Sequence, residues 1–383
     1  MLNLDDDFLH DEHRQLRRQL RRFIVSEIVP HGAELEAAGT IPRSIYQRMG
    51  ALGFLGVALP EEYGGSHLDA FGSIVFGEEL GRSALGGFSG SISDHADMVA
   101  PIINRNGSDA QKAQYLPDII AGNRIAGLAI TEPSGGSDLT RMKTTAHRDG
   151  DDFVLNGQKT YITNAISGDI FVTVAKTDPE AKGAQGYSLF LIEKGGIGFT
   201  TGAKFNKTGW KSSDMSELFF DNFRVPAANM LGEEGKGFYL MMHGIEHERM
   251  SIGAQCIGMA ERAFEITLDH LKNRQAYRGT LWDLQSIRHD MARLASDLAA
   301  SKTLLYHAAA KKCRDESVRL EASMIKATLP ELLKRLVDTC VQLHGSAGYM
   351  QGTEIERLWR DTRPHSLGGG ASAVMLDEVA KLL

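Results

Sequence analysis

SELFFDNFRVPAANMLGEEGKGF, residues 216–238, marks a change of period that divides the chain. Up to Pro226 the apolar residues recur as in a strand; a Gly-rich turn follows, and beyond it the apolar spacing is helical. Upstream, DDFVLNG (151–157), GDIFVTVAKT (168–177) and YSLFLIEKG (187–195) are further short runs separated by Gly, Asp and Asn turns. From about Glu12 to Gly122 the periodicity is helical, broken at LPEEYGGSHLD (59–69) and at RNGSDAQKAQYLP (105–117). In the latter, Asp109 or Ser108 caps a short helix that ends before Pro117. Downstream the helical pattern runs to the end, with breaks at QLHGSAGYMQG (342–352) and RPHSLGGGASAVM (363–375). The expectation is an α+β multidomain chain: helical over 1–122, β-rich over 123–232 and helical again over 233–383.

Composition narrows the function. The 383 residues are 42% hydrophobic and 24% charged, as in a globular protein with a large core, and the net charge of −7 gives no basic field to attract nucleic acid or anionic lipid. Cys256, Cys313 and Cys340 lack CxxC spacing and read as buried thiols in a reducing compartment. No run approaches the roughly 18 apolar residues of a membrane span. The opening MLNLDDDFLHDEH is acidic and has no hydrophobic secretory region, while Leu16, Leu20, Phe23 and Ile24 of the basic segment after it fall at helical spacing. A cytoplasmic protein is expected. No GxGxxG joins a strand to a helix, so a phosphate-bearing cofactor must be held by something other than a dinucleotide fold.

LAITEPSGGSDL (128–139) begins as a strand and ends in a loop of Gly, Ser and Thr, leaving backbone N–H groups and hydroxyls free to face a planar or anionic ligand. Together with EEYGG (61–65), DAQKAQYLP (109–117), LNGQKTYITNA (155–165), KTGWKSSDMSELFFDNFRVP (207–226), NRQAYRGTLWDLQ (273–285) and QLHGSAGY (342–349), it resembles the acyl-CoA dehydrogenases, most of all their long-chain and isovaleryl branch. That resemblance implies an N-terminal helical domain, a middle β-barrel domain and a C-terminal four-helix bundle. It implies FAD as cofactor, an acyl-CoA or carrier-bound acyl substrate, an electron-transfer flavoprotein as acceptor, and a homotetramer. An oxidase passing electrons to O2, and a non-catalytic scaffold, are the alternatives.

The resemblance also assigns residues. Leu128, Ile130, Thr131, Ser137, Tyr161 and Thr163 fall where the family touches the flavin, Ser137 also near the thioester, with Tyr161 in place of the commoner Trp. Arg274, Tyr277 and Gln285 match residues that reach the FAD of a neighbouring subunit, an apt role for the planar fork of an arginine beside a pyrophosphate. Gln342, Gly345 and Ser346 match the segment holding the adenosine end, although Ser346 and Arg278 stand where glycines are usual. Ala371 and Ala373 are likewise assigned to the cofactor, and Glu246, Arg249 and Gly370 to the substrate.

The reaction so implied needs a carboxylate in a dry cavity. At the C-terminal loop position where many family members supply a glutamate, this chain has Gly369. The long-chain and isovaleryl branches place the glutamate on a helix just before an arginine, which here is Glu248-Arg249. Helical geometry agrees: at about 100° per residue, Ile245, Glu248, Ile252, Cys256 and Met259 share one stripe, from which Glu246 is turned away. Glu248 is therefore the expected base. Gly369 keeps a backbone N–H for the thioester carbonyl, and the missing side chains are expected to leave room for a long or branched acyl chain.

Overall fold

The computed structural model describes residues 5–383; the first four residues of the acidic N-terminal stretch lie outside that range. Helices occupy the chain as far as Ile120, eight strands form one sheet between Ala126 and Leu231, and helices resume at Gly237. The strands are β1 (Ala126–Ala129), β2 (Thr145–Asp149), β3 (Asp152–Thr163), β4 (Ile170–Lys176), β5 (Tyr187–Glu193), β6 (Phe199–Thr201), β7 (Met215–Pro226) and β8 (Met230–Leu231).

Their order is β6-β7-β3-β2-β4-β5-β8, and β1 lies parallel to β4 along the same edge that β2 touches at Lys176. Side chains alternate across β4 and β5 with a period of two. Ile170, Val172, Val174, Leu189 and Leu191 pack toward the helix Asp109–Ile120, whereas Phe171, Ala175, Phe190 and Ile192 join the phenylalanines of β3, β6 and β7. Because both faces are covered, β4 and β5 read as nearly unbroken apolar runs. The barrel expectation needs correction: closure requires the edge strands to pair, and the described pairings leave the short β6 and β8 as edges of a mixed sheet.

The two helical regions, far apart in sequence, share one core. Phe71, Val75, Phe76 and Phe88 pack in the same cluster as Ile252, Cys256, Met259, Leu305 and Leu336. At its centre lies the helix Ile245–Asn273, buried on every side from Arg249 to Ala260. Glycines let the helix Ala70–Arg82 approach it closely. A Cβ on Gly258 would stand 1.9 Å from the Glu78 carbonyl oxygen, and one on Gly81 2.3 Å from that of Gln255. Gly258→Ala gains about 1 kcal/mol of helix propensity but forces backbone apart, so a net loss of about 1–2 kcal/mol is expected. Urea unfolding of the protein measures it, and an unchanged or raised midpoint would show that the helices separate without cost.

Two local expectations are also corrected. Ser108 caps the helix after it, reciprocated by Gln111, but that helix runs through Pro117 to Ile120. The hydrogen bond forfeited at the proline is outweighed by a buried face of Tyr115, Leu116, Ile119 and Ile120. Cys256 and Cys340 are buried as expected, but Cys313 is exposed, just past the end of the helix Gln285–Lys312.

The edge of β1 away from β4 is closed by side chains. A π-helical turn, Asp94–Val99, places His95 Nδ1 to accept from Ala126 N (3.0 Å) and Asp94 Oδ2 to accept from Leu128 N (3.3 Å). His95 Nε2 donates to the Ile119 carbonyl (3.0 Å), and burial pushes this imidazole down to about 4, so it is neutral. Such turns are frequent at functional sites, and this one borders a large cavity.

Candidate functional site

A cavity of about 470 Å³ opens between the sheet, the π-helical turn, the central helix and the loop after Arg363. Leu128, Ile130, Thr131, Ser137, Tyr161, Thr163, Glu248, Arg249, Gly369, Gly370 and Ala371 all line it. Eleven of the residues expected from sequence therefore meet in one space.

The loop carrying Thr131 and Ser137 is held from beneath by a pair that sequence reasoning missed. Lys159, buried in β3, donates from Nζ to Glu132 (2.8 Å) and to the Ile130 carbonyl (3.1 Å). Glu132 accepts in addition from the backbone of Lys143 and Thr144 (2.5 and 3.0 Å). Burial pushes Lys159 down to about 8 against the opposing charge of Glu132. A buried pair with every oxygen bonded fixes loop geometry. On the facing wall, Tyr161 sits at φ +59 where β3 slips register against β7 between Lys159 and Ile162. That strained backbone turns the ring out of the core, 65% exposed and against Phe205.

Glu248 borders the side-chain space of Gly369. A Cβ on Gly369 would lie 3.0 Å from Glu248 Oε1 and 2.5 Å from Ile252 Cδ1, and φ is +66. The glycine is required because the central helix already fills the side-chain space. A Cβ on Gly370 would meet the end of Met375 at 2.8 Å, whereas Gly368 is open. Lys326 ties the loop down. It is buried, and its Nζ donates to the carbonyls of His365 (2.8 Å) and Gly370 (2.7 Å). Burial pushes the Glu248 carboxyl up, opposed by the positive charges of Lys326 and Arg249 and by His247.

The other carboxyl groups on the cavity wall have different surroundings. Burial holds Asp94 well above the ordinary range, with Leu128 N opposing and the charges of Glu248 and Asp214 adding to the rise. Glu378 pairs with Arg319 and Lys381, and Asp138 accepts from Thr140. Arg249 is buried, donating from Nη1 to Ser323 Oγ (3.0 Å) while its Nε has no hydrogen-bond partner. Trp210 also lines the cavity; its backbone N–H and that of Gly86 donate to Asp361 (2.6 and 2.8 Å).

The remaining expected residues lie elsewhere. Arg274, Tyr277 and Gln285 are exposed at a hairpin and the start of the helix after it, Tyr277 at 93%. Gln342, Gly345 and Ser346 are exposed at the end of the helix Arg319–His344, and Ala373 is exposed beyond the loop. Glu246 does not line the cavity, consistent with its position off the stripe. Asp97, on the π-helical turn, pairs with His247 (2.8 Å).

Three family models cover the chain: the acyl-CoA dehydrogenase N-terminal domain over residues 10–123, the middle domain over 127–223 and the C-terminal domain over 235–383. The chain belongs to the acyl-CoA dehydrogenase family. It is 38% identical over 376 residues to a mitochondrial long-chain specific acyl-CoA dehydrogenase of Sus scrofa, covering 97% of this chain and 86% of that one. Its fold matches a crystal structure of an acyl-CoA dehydrogenase from Geobacillus kaustophilus with a TM-score of 0.94, 37% identity and 98% of both chains covered. The prolyl acyl carrier protein oxidase AnaB is 30% identical, with a TM-score of 0.91 over 97% of this chain and 99% of that one.

The family's cofactor is FAD, and the cavity suits it. The outward Tyr161 ring offers a stacking face, and Thr131, Ser137 and Thr163 offer hydroxyls at the same wall. Among the described residues no cluster of His, Cys, Asp and Glu is arranged to hold a metal, and no helix is long and apolar enough to cross a membrane.

Proposed function

We propose that this member of an oxidoreductase family places a double bond between the α and β carbons of an acyl thioester, with Glu248 as base. The placement of Glu248 beside Gly369 carries the reading. It sets a carboxylate next to a loop residue with no side chain, with cationic neighbours that keep the carboxyl ionisable despite burial. Asp94, with no cation to support its ionised form, is suited to remain protonated; Glu378 and Asp138 are engaged elsewhere.

Bound FAD supplies the hydride acceptor. Glu248 takes the α-proton, while the N–H of Gly369 donates to the thioester carbonyl and stabilises the charge developing there. Arg249, Gly370 and Ser137 border the thioester; Glu246, at the rim of the helix, meets the part of the substrate outside. Loss of the α-proton and the β-hydride leaves the enoyl thioester.

Arg274, Tyr277 and Gln285, exposed and outside the lining of this chain's cavity, fit a homotetramer in which they reach the FAD of a neighbour; Gln342, Gly345 and Ser346 hold the adenosine end, and Ala371 and Ala373 also meet the cofactor. The acceptor for the electrons is an electron-transfer flavoprotein. The likeness to a prolyl acyl carrier protein oxidase supports a second reading, a carrier-bound acyl chain with O2 as acceptor. Anaerobic titration of the yellow protein with acyl-CoA thioesters, and with the same acyl groups on a carrier protein, separates the two. Bleaching by the CoA series with slow recolouring in air supports the dehydrogenase; bleaching by carrier-bound chains alone with rapid recolouring supports the oxidase. A flavin bleached by neither overturns both.

A further inference from the structure

Opposite the sheet, the cavity wall is polar to a degree that an apolar acyl chain does not require. Gly90, Ser93, Asp94 and Met98 line it beside Glu248, Ile252 and Gln255 of the central helix. Ser89 donates to Gln255 Oε1 (2.8 Å), Gln255 Nε2 donates to Ser93 Oγ (3.0 Å), and Ser93 Oγ meets Ser251 Oγ at 3.3 Å. Those groups satisfy one another. Asp94 stands apart: it is 93% buried by its 7% exposure, and its one side-chain hydrogen bond is the 3.3 Å contact from Leu128 N.

A strand-edge N–H does not need a carboxyl group to accept from it. The adjoining edge N–H, that of Ala126, is satisfied by neutral His95. Burying a carboxyl group with one long hydrogen bond and no cation is costly, and burial favours its protonated form, which is a donor as well as an acceptor. Both properties point to a partner that arrives from the cavity. Gln255 lies seven residues beyond Glu248, roughly 10 Å along the helix, so an acyl chain that presents its α-carbon to Glu248 and follows the helix passes this wall.

We propose that the cavity takes an acyl group bearing a hydroxyl or amino substituent on a carbon beyond the reacting pair, and that Asp94 binds this substituent. The proposal rests on the dehydrogenase reading above. A hydroxyl accepts from, and donates to, the Asp94 carboxyl; an ammonium group draws it into the ionised form and offsets its repulsion from Glu248. Ser93 and Gln255 border the same position and keep it wet enough for a polar group.

The test uses the FAD-loaded protein and pantetheine thioesters, an arm common to CoA and carrier proteins. Butyryl and hexanoyl thioesters are compared with their terminally hydroxylated and terminally aminated counterparts by kcat/KM for flavin bleaching. At least one polar thioester is expected to exceed its plain parent tenfold, the hydroxyl and amino arms identifying the substituent. In Asp94→Leu the polar-to-plain ratio is expected to fall at least tenfold, whereas Asp94→Asn, which keeps an acceptor for Leu128 N, retains FAD and loses the amino preference first. Plain thioesters preferred by the wild type, or a ratio unmoved by Asp94→Leu in a protein that binds FAD, overturn the assignment while leaving the dehydrogenase reading intact. If no thioester bleaches the flavin, both fall together.

Discussion

Glu248→Gln yields a folded, yellow protein whose flavin acyl thioesters no longer bleach, with kcat/KM lower by about 10³-fold or more. The substitution is nearly isosteric, so the packing beside Gly369 persists and FAD remains bound; what disappears is the capacity to take a proton. The pH profile supplies the second readout. Burial raises the folded-state pKa of Glu248, and only the ionised form is a base. Wild-type kcat/KM therefore climbs with pH through that raised value, and the limb is absent from the residual activity of the glutamine variant. Bleaching at the wild-type rate would move the base to another residue.

Much of this site was readable in the sequence because its parts have periodic or compositional signatures. The strand runs of β3 and β7 alternate, those of β4 and β5 are short apolar runs, and the helical stripe through Ile245, Glu248 and Ile252 placed the carboxyl group on the cavity wall. The supports of the site had no such signature. Lys159 looks like any strand lysine and Glu132 like a loop acid, since a buried pair is created by tertiary contact between residues 27 apart. Asp94 lies among Ser93, His95 and Asp97, and Lys326 is one of several polar residues on its helix, the usual look of solvated positions; only the packing of other elements over them shows otherwise. The space around the glycines of the C-terminal loop was hidden for a related reason. An absent side chain implies space only if nothing else enters it, and Ile252, Glu248 and Met375 do. Nor did the change of period at Pro226 reveal that the helices before and after the sheet share one core, because pairing between distant helices leaves no mark in either.

Lys326→Met tests whether the loop and the base act as one unit. The lysine spans from the helix Arg319–His344 to the carbonyls on either side of Gly369, at His365 and Gly370. Methionine matches the length of the stem but donates nothing, leaving two carbonyl oxygens without their partner at about 1–3 kcal/mol each where they stay buried. The loop is expected to relax toward solvent to recover those bonds, displacing the Gly369 N–H from the thioester carbonyl. The second consequence is electrostatic. Lys326 is the foremost charge opposing the rise of the Glu248 pKa, so its removal raises that pKa further and the acid limb of kcat/KM moves to higher pH. At neutral pH the two effects together lower kcat/KM by about 100-fold, of the size seen when one preorganised donor is lost. Stability changes less, because burial already depresses the ionised form of Lys326 and its replacement relieves that cost. A purely structural role would scale the whole pH profile down without moving its limb. An acid limb that superimposes on the wild type after scaling would therefore refute the coupling, and a shift toward lower pH would reverse its sign.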